Sequence, residues 1–281
     1  MNLGTSADLA EIWVKQGVKA GARLLAAAEA KSSYIPRFLA RKMDRIATIW
    51  AATFLLAALP AVAFSVTPAQ SLGEFASLAL PYLCIAMAPV AGLHLTLRAF
   101  PNGLMTARPA FHLSFYGRWT RVDPIRAIDS PGFGPSGFMA SLLVGLLLNV
   151  VVRAGEFLVA VPAVASSGPI WGQTLFHIMA ADVAVMGFFY MVCFAMALRS
   201  VPYFPKMLLL VWGLDILAQL LIAHRMSAIA ELPHSVALPL QQLLQGNITK
   251  VLISAAVWLP YLMLSDRVNI TYRQRIRALP A

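Results

Sequence analysis

Asn149, Arg153 and Glu156 stand at i, i+4 and i+7 in "NVVVRAGEFL", a spacing that puts them on one face of a helix. The stretch around them, Phe138 to Val164, is otherwise apolar. Asp182 lies inside a second apolar run, and Asp215 lies near the middle of a third with Gln219 one turn on. A guanidinium, carboxylates and carboxamides in such surroundings suit two tasks. They pair and fix the register of neighbouring helices, or they hold an ion, a proton or a small polar ligand. An unpaired charge at bilayer depth is costly, so Arg153 should pair with Glu156 or with Asp182 and Asp215. Cations are short: Arg153 and Lys250 face Glu156, Asp182 and Asp215. At least one carboxylate should then be protonated or await a cation, as a coupling site requires. The candidate ligand or ion site is Asn149, Arg153, Glu156, Asp182, Asp215 and Gln219.

These residues need a bundle of membrane helices to carry them, and composition agrees. Hydrophobic residues make up 59% of the 281 positions and charged residues 12%, against roughly 25% charged in a soluble domain. Six runs are long enough to span: Ile46–Val66, Phe75–Leu97, Phe138–Val164, Trp171–Leu198, Phe204–Ala223 and Asn247–Leu264. Pro60, Pro81, Pro89, Pro162, Pro205 and Pro260 fall within five of them, where neighbouring helices can satisfy the freed carbonyls. On this reading Lys250 sits one turn inside the outer end of its span and snorkels.

Lys and Arg alternate across the intervening segments as 8, 0, 5, 0, 2, 1 and 4 from the N-terminus to the tail. Nineteen of the 22 basic residues fall on one side, which predicts that both termini are cytoplasmic. Topology thereby accounts for the net charge of +10 without a nucleic-acid partner. The expected class is all-α, a polytopic bundle of six transmembrane helices preceded by an amphipathic interfacial helix. The divisions are 1–45 for that helix, 46–97 for a two-span hairpin and 98–137 for a cytoplasmic interfacial loop. Residues 138–265 make a four-span bundle, and 266–281 a basic cytoplasmic tail. No cleavable signal peptide is read at the N-terminus.

The first helix places Leu9, Ile12, Trp13 and Leu24 opposite Lys15, Lys19 and Arg23, so Trp13 anchors it at the membrane surface. The loop "FHLSFYGRWTRVDPIRAID" interleaves aromatics with arginines, as in a belt that holds anionic headgroups. Trp119, Arg121, Trp258, Tyr261 and Arg267 join Trp13 as expected interface residues. Membrane lipids with anionic headgroups, and a membrane protein partner, are the expected contacts.

Other motifs yield less. "GFGPSG" matches G-x-G-x-x-G at Gly132, Gly134 and Gly137, but it follows no strand of a βαβ unit. It reads as a turn in which Ser136 caps the next helix. His177, His224 and His234 fall on the outer side near Glu231 without paired ligand spacing, and no metal or cofactor is expected. Cys84 and Cys193 read as packing residues. An enzyme acting on a lipid-linked substrate would have His112, Asp123 and Asp129 to draw on, and their spacing names no chemistry. A non-enzymatic subunit or transport-type protein is the primary reading; a scaffold with a purely structural network is the alternative.

The rear half carries a resemblance. "MALRSVPYFPKMLLLVWGLDIL" (196–217) precedes "ISAAVWLPYLMLSDRVNITYRQR" (253–275). Together they resemble a bacterial family of four-span membrane proteins, the domain of unknown function (number 2569). Its closing pattern is matched by Trp258, Leu259, Pro260, Tyr261, Ser265, Arg267, Val268, Thr271 and Tyr272. Arg199, Pro205 and Lys206 match its short basic loop. Asp266 stands where that family has Lys. This chain also adds the N-terminal helix, two spans and the loop. The resemblance covers about residues 138–275 and implies the architecture and a bacterial inner membrane, without naming an activity.

The loop charges generate a labelling prediction. A cysteine at Gln70 should react with an impermeant reagent from outside intact cells, and one at Phe115 should not. External labelling at 115 would contradict the six-span topology.

Overall fold

The computed structural model describes residues 33–101, 117–130, 132–229 and 232–278. Trp13, and with it the interfacial helix up to position 32, lies outside these residues. The described chain runs α1 (Tyr34–Ala63), α2 (Leu72–Ala99), β1 (Trp119–Arg121), α3 (Pro124–Ile128) and α4 (Phe138–Ala160). It continues through α5 (Ile170–Leu198), α6 (Phe204–Ser227), α7 (His234–Leu264), α8 (Asp266–Arg273) and β2 (Arg275–Arg277). Among the described residues, α1, α2, α4, α5, α6 and α7 are long and apolar enough to cross a membrane. The protein is therefore an all-α, multi-pass membrane protein.

The helices differ in length from the apolar runs that mark them. α1 begins at Tyr34, well before Ile46, so Arg37, Arg41, Lys42 and Arg45 belong to its first turns. α7 begins at His234 and not near Asn247, because Gln241, Gln242 and Gln245 interrupt its apolar run without interrupting its helix. α4 stops at Ala160 ahead of Pro162, and Pro205 sits in the first turn of α6, where a missing N–H costs nothing. Pro60, Pro81, Pro89, Pro239 and Pro260 lie inside helices. The cap of α2 is a variant of the capping box in which the carboxylate reaches the amide before the cap residue. The Ser71 hydroxyl accepts from the Glu74 amide at 3.2 Å, and the Glu74 carboxylate accepts from the Gln70 amide at 2.7 Å.

α5 is the central column. It packs most extensively on α2, and also on α4 and α6; α1 lies across α2 and α4, and α7 lies against α6. Two apolar clusters fill the bundle, one around Met43, Leu93, Leu143, Phe194 and Phe204 and the other around Phe54, Tyr82, Phe157, Phe176 and Met226. The closest approach is between α2 and α5. A Cβ on Gly92 would sit 2.6 Å from the Phe188 carbonyl oxygen. Leu56, Leu59, Val159, Leu221 and Ile253 point outward, as in a bundle whose solvent is hydrocarbon.

One end of the bundle, the basic end, gathers the start of α1, the end of α2, the turn from α5 to α6 and the C-terminal segment as far as Ala278. The tail is folded back and does not splay outward. β2 pairs antiparallel with β1, Trp119 opposite Arg277 and Arg121 opposite Arg275. Arg275 and Arg277 stand over the Trp119 ring at 5.2 and 5.8 Å, within cation–π range. The Tyr272 hydroxyl donates to the Ala197 carbonyl at 2.9 Å, and Asn269 and Thr271 are fully buried. Arg273 is buried and bonded to Asn269; burial, with Arg275 beside it, brings its guanidinium down to about 10. Ser136 does not cap α4. Gly137 takes the cap position at φ 65°, and the Ser136 hydroxyl accepts from Arg267 instead, at 2.5 Å.

The α2–α5 contact supplies a matched pair of substitutions. Gly92→Ala must push against backbone, and overpacking of this kind costs about 1–3 kcal/mol. Gly213→Ala meets nothing within 4 Å and gains helix propensity of up to about 1 kcal/mol. Thermal unfolding in detergent should show a lowered Tm for the first and an unchanged or raised Tm for the second.

Candidate functional site

Three helices converge on Arg153. It projects from α4 between α5 and α6. Its Nη1 donates to Asp215 Oδ2 and its Nη2 to Asp215 Oδ1, both at 2.8 Å, which makes a bidentate fork. Nη2 also donates to Asp182 Oδ2 on α5 at 2.8 Å. Asp215 and Gln219 are fully buried, and Arg153 is 8% exposed. The remaining lone pairs find donors close by. The Tyr190 hydroxyl donates to Asp215 Oδ2 at 2.7 Å. Gln219 Nε2 lies 3.2 Å from Asp182 Oδ1 and 3.4 Å from Asp215 Oδ1. Asn247 on α7 donates to Gln219 Oε1 at 3.2 Å and carries the network to a fourth helix. One guanidinium thus faces two carboxylates, and Arg153 Nε is buried without a hydrogen-bond partner among the described residues.

The network forms one wall of a cavity of about 110 Å³ between α4 and α7, lined also by Asn149, Ser254 and Trp258. That volume accommodates several waters. The two helix backbones do not pack closely along their length, so side chains span the gap. At the basic end the Phe138 ring meets Trp258 at 4.6 Å and Tyr261 at 5.0 Å. Farther in, Lys250 of α7 pairs with Glu156 of α4, the lysine side chain 51% and the glutamate 33% exposed.

Of the expected site, Arg153, Asp182, Asp215 and Gln219 come together in one network, and Asn149 lines the cavity beside it. Glu156 does not join Arg153. Three residues along the helix, it turns to Lys250, whose place is mid-helix because α7 starts at His234. Lys250 therefore pairs across the bundle and does not snorkel from a helix end. Tyr190, Asn247 and Ser254 were not foreseen. Tyr190 lies two turns from Asp182, and Asn247 lies three residues before Lys250, so helical spacing from the charged residues could have found both.

The remaining candidates lie elsewhere. Trp119, Arg121 and Arg267 belong to the folded basic end, whereas Trp258 lines the cavity and Tyr261 packs against Phe138 beside it. Asp123 and Asp129 flank α3; His112 and Glu231 lie outside the described residues. His177 Nδ1 meets the Gln173 carbonyl of its own helix at 2.8 Å. No family model, no curated protein and no solved structure matches the chain.

Removing the guanidinium isolates two buried carboxylates. Arg153→Leu should destabilise the detergent-solubilised protein by about 3–5 kcal/mol, and Asp215→Asn added to it should recover much of that loss. A single variant as heat-stable as wild type would mean that the network does not hold the bundle.

Proposed function

We propose that this is a transport-type protein of the bacterial inner membrane, with both termini cytoplasmic, that holds a small polar or ionic ligand at the Arg153–Asp182–Asp215 cluster. One observation carries the reading: a cavity reaches a buried cluster that has more carboxylates than cations. A network built only to fix helix register gains nothing from an uncompensated buried charge. A site that alternately holds and releases a cation needs one. The half-exposed Lys250–Glu156 pair stands beside the same cavity and is neutral as a pair, so the excess charge belongs to the deeper set. The basic loops support the orientation, and the resemblance of residues 138–275 to the four-span family supports the setting.

Complementation tests the proposal. In a strain lacking the gene, Asp215→Asn should insert at wild-type level yet fail to restore the lost phenotype, and Asp182→Asn should restore it partly. Full complementation by Asp215→Asn across external pH would favour the structural scaffold.

A further inference from the structure

A second cavity, of about 520 Å³, lies between α6 and α7 on the far side of the network from the first. It runs from Ser227 at the end of α6 inward to Gln219, and along α7 from Ala237 to Ile248. Gln219 lines this cavity and Asn247 lines the other. The hydrogen bond between these two side chains is where the cavities come nearest along the network. Together the cavities follow α7 from Ala237 to Trp258, about 32 Å of helix rise, against about 30 Å for the hydrocarbon core. The second cavity carries the carboxamides of Gln241 and Gln245, one turn apart and both exposed. Carboxamides facing hydrocarbon would lose their hydrogen bonds, so this face suits water entering from the end opposite the basic one.

Resting on the ligand site proposed above, we infer that the Gln219–Asn247 bond is the septum of a transmembrane route and that the ion passed is a proton. The donor set selects the ion. Each oxygen of Asp215 and Asp182 accepts from an N–H or O–H of Arg153, Tyr190 or Gln219. A metal ion would have to displace those donors to gain oxygen ligands. A proton displaces far less, because Asp182 and Asp215 share the same Arg153 Nη2 and the same Gln219 Nε2. Hydronium in one cavity gives its proton to a carboxylate of this pair, leaving water. When the Gln219–Asn247 bond opens, the carboxylic acid gives the proton to water in the other cavity, forming hydronium, and the carboxylate is restored. Among the described residues, Tyr190 and the Lys250–Glu156 pair are the other titratable side chains that line the route. Trp258 lines its basic end, with Phe138 and Tyr261 packed against that ring.

The test uses full-length protein in sealed vesicles of phosphatidylethanolamine and phosphatidylglycerol, with a pH-sensitive dye inside and a potassium diffusion potential to drive protons. Gln219→Ala should raise proton entry several-fold over wild type while retaining an entrapped larger dye, and adding Asp215→Asn should return entry to the wild-type level. In a background lacking Cys84, cysteines at Ala223 and Gln241 should react with an impermeant thiol reagent only from the end opposite the basic one. A cysteine at Gly145 should not react from that end until Gln219 is replaced. No proton leak in Gln219→Ala, a leak indifferent to Asp215→Asn, or labelling of Ala223 and Gln241 from the basic end would each overturn the route. The ligand site would still stand if Asp215→Asn failed to complement, so the two proposals fail separately.

Discussion

A guanidinium in the middle of a bilayer needs its counter-charge within hydrogen-bond reach, and this requirement organises the bundle. Arg153 meets it with Asp182 and Asp215, which fixes the rotation and depth of α4, α5 and α6 relative to one another. A register shift of one residue would swing a carboxylate by about 100° around its helix and leave charge in hydrocarbon. Apolar contact alone gives lipid-embedded helices little to choose a register by. The polar set selects the register. α2 then closes against α5 as tightly as Gly92 permits.

The fold class was legible because it rests on quantities that survive without tertiary context: length, apolar content and the number of apolar runs long enough to span. Six spans follow from these directly. Boundaries were less legible where polar residues lie on a continuing helix. Gln241, Gln242 and Gln245 lower the hydropathy of α7 without breaking it, and that displaced Lys250 from the middle of a helix to the end of one. The small error had a chemical consequence, because a lysine at a helix end snorkels and one at the centre must pair.

The site was legible as a set of residue types and not as a set of partners. Helical spacing puts Asn149, Arg153 and Glu156 on one face, but it does not say which neighbour each meets. Arg153 and Glu156 point along the same side of α4, yet one turns inward to α5 and α6 and the other crosses to α7. Tyr190 and Asn247 carry no charge, so nothing in composition marked them, though both complete the hydrogen bonding around the carboxylates. The basic end was least legible. Strands of three residues leave no periodic signal, and the pairing of β1 with β2 joins segments far apart in the chain. What reads as two basic surfaces waiting for headgroups is in part a closed contact, with Trp119 covered by the arginines of the tail.

Charge is distributed unevenly between the two polar sets, and the unevenness follows burial. Lys250 and Glu156 are half-exposed and cancel each other. The deeper set leaves two carboxylates sharing one guanidinium. Burial penalises an excess charge most where water is scarcest, so a chain free to arrange its ionisable groups would leave the imbalance at the rim. Here it lies at the centre, surrounded by donors that hold the carboxylates in place: Tyr190, Gln219 and, through Gln219, Asn247. Such donors hold the carboxylate oxygens in fixed directions. Both carboxylates are thus fixed in position, and Asp215 lines the cavity.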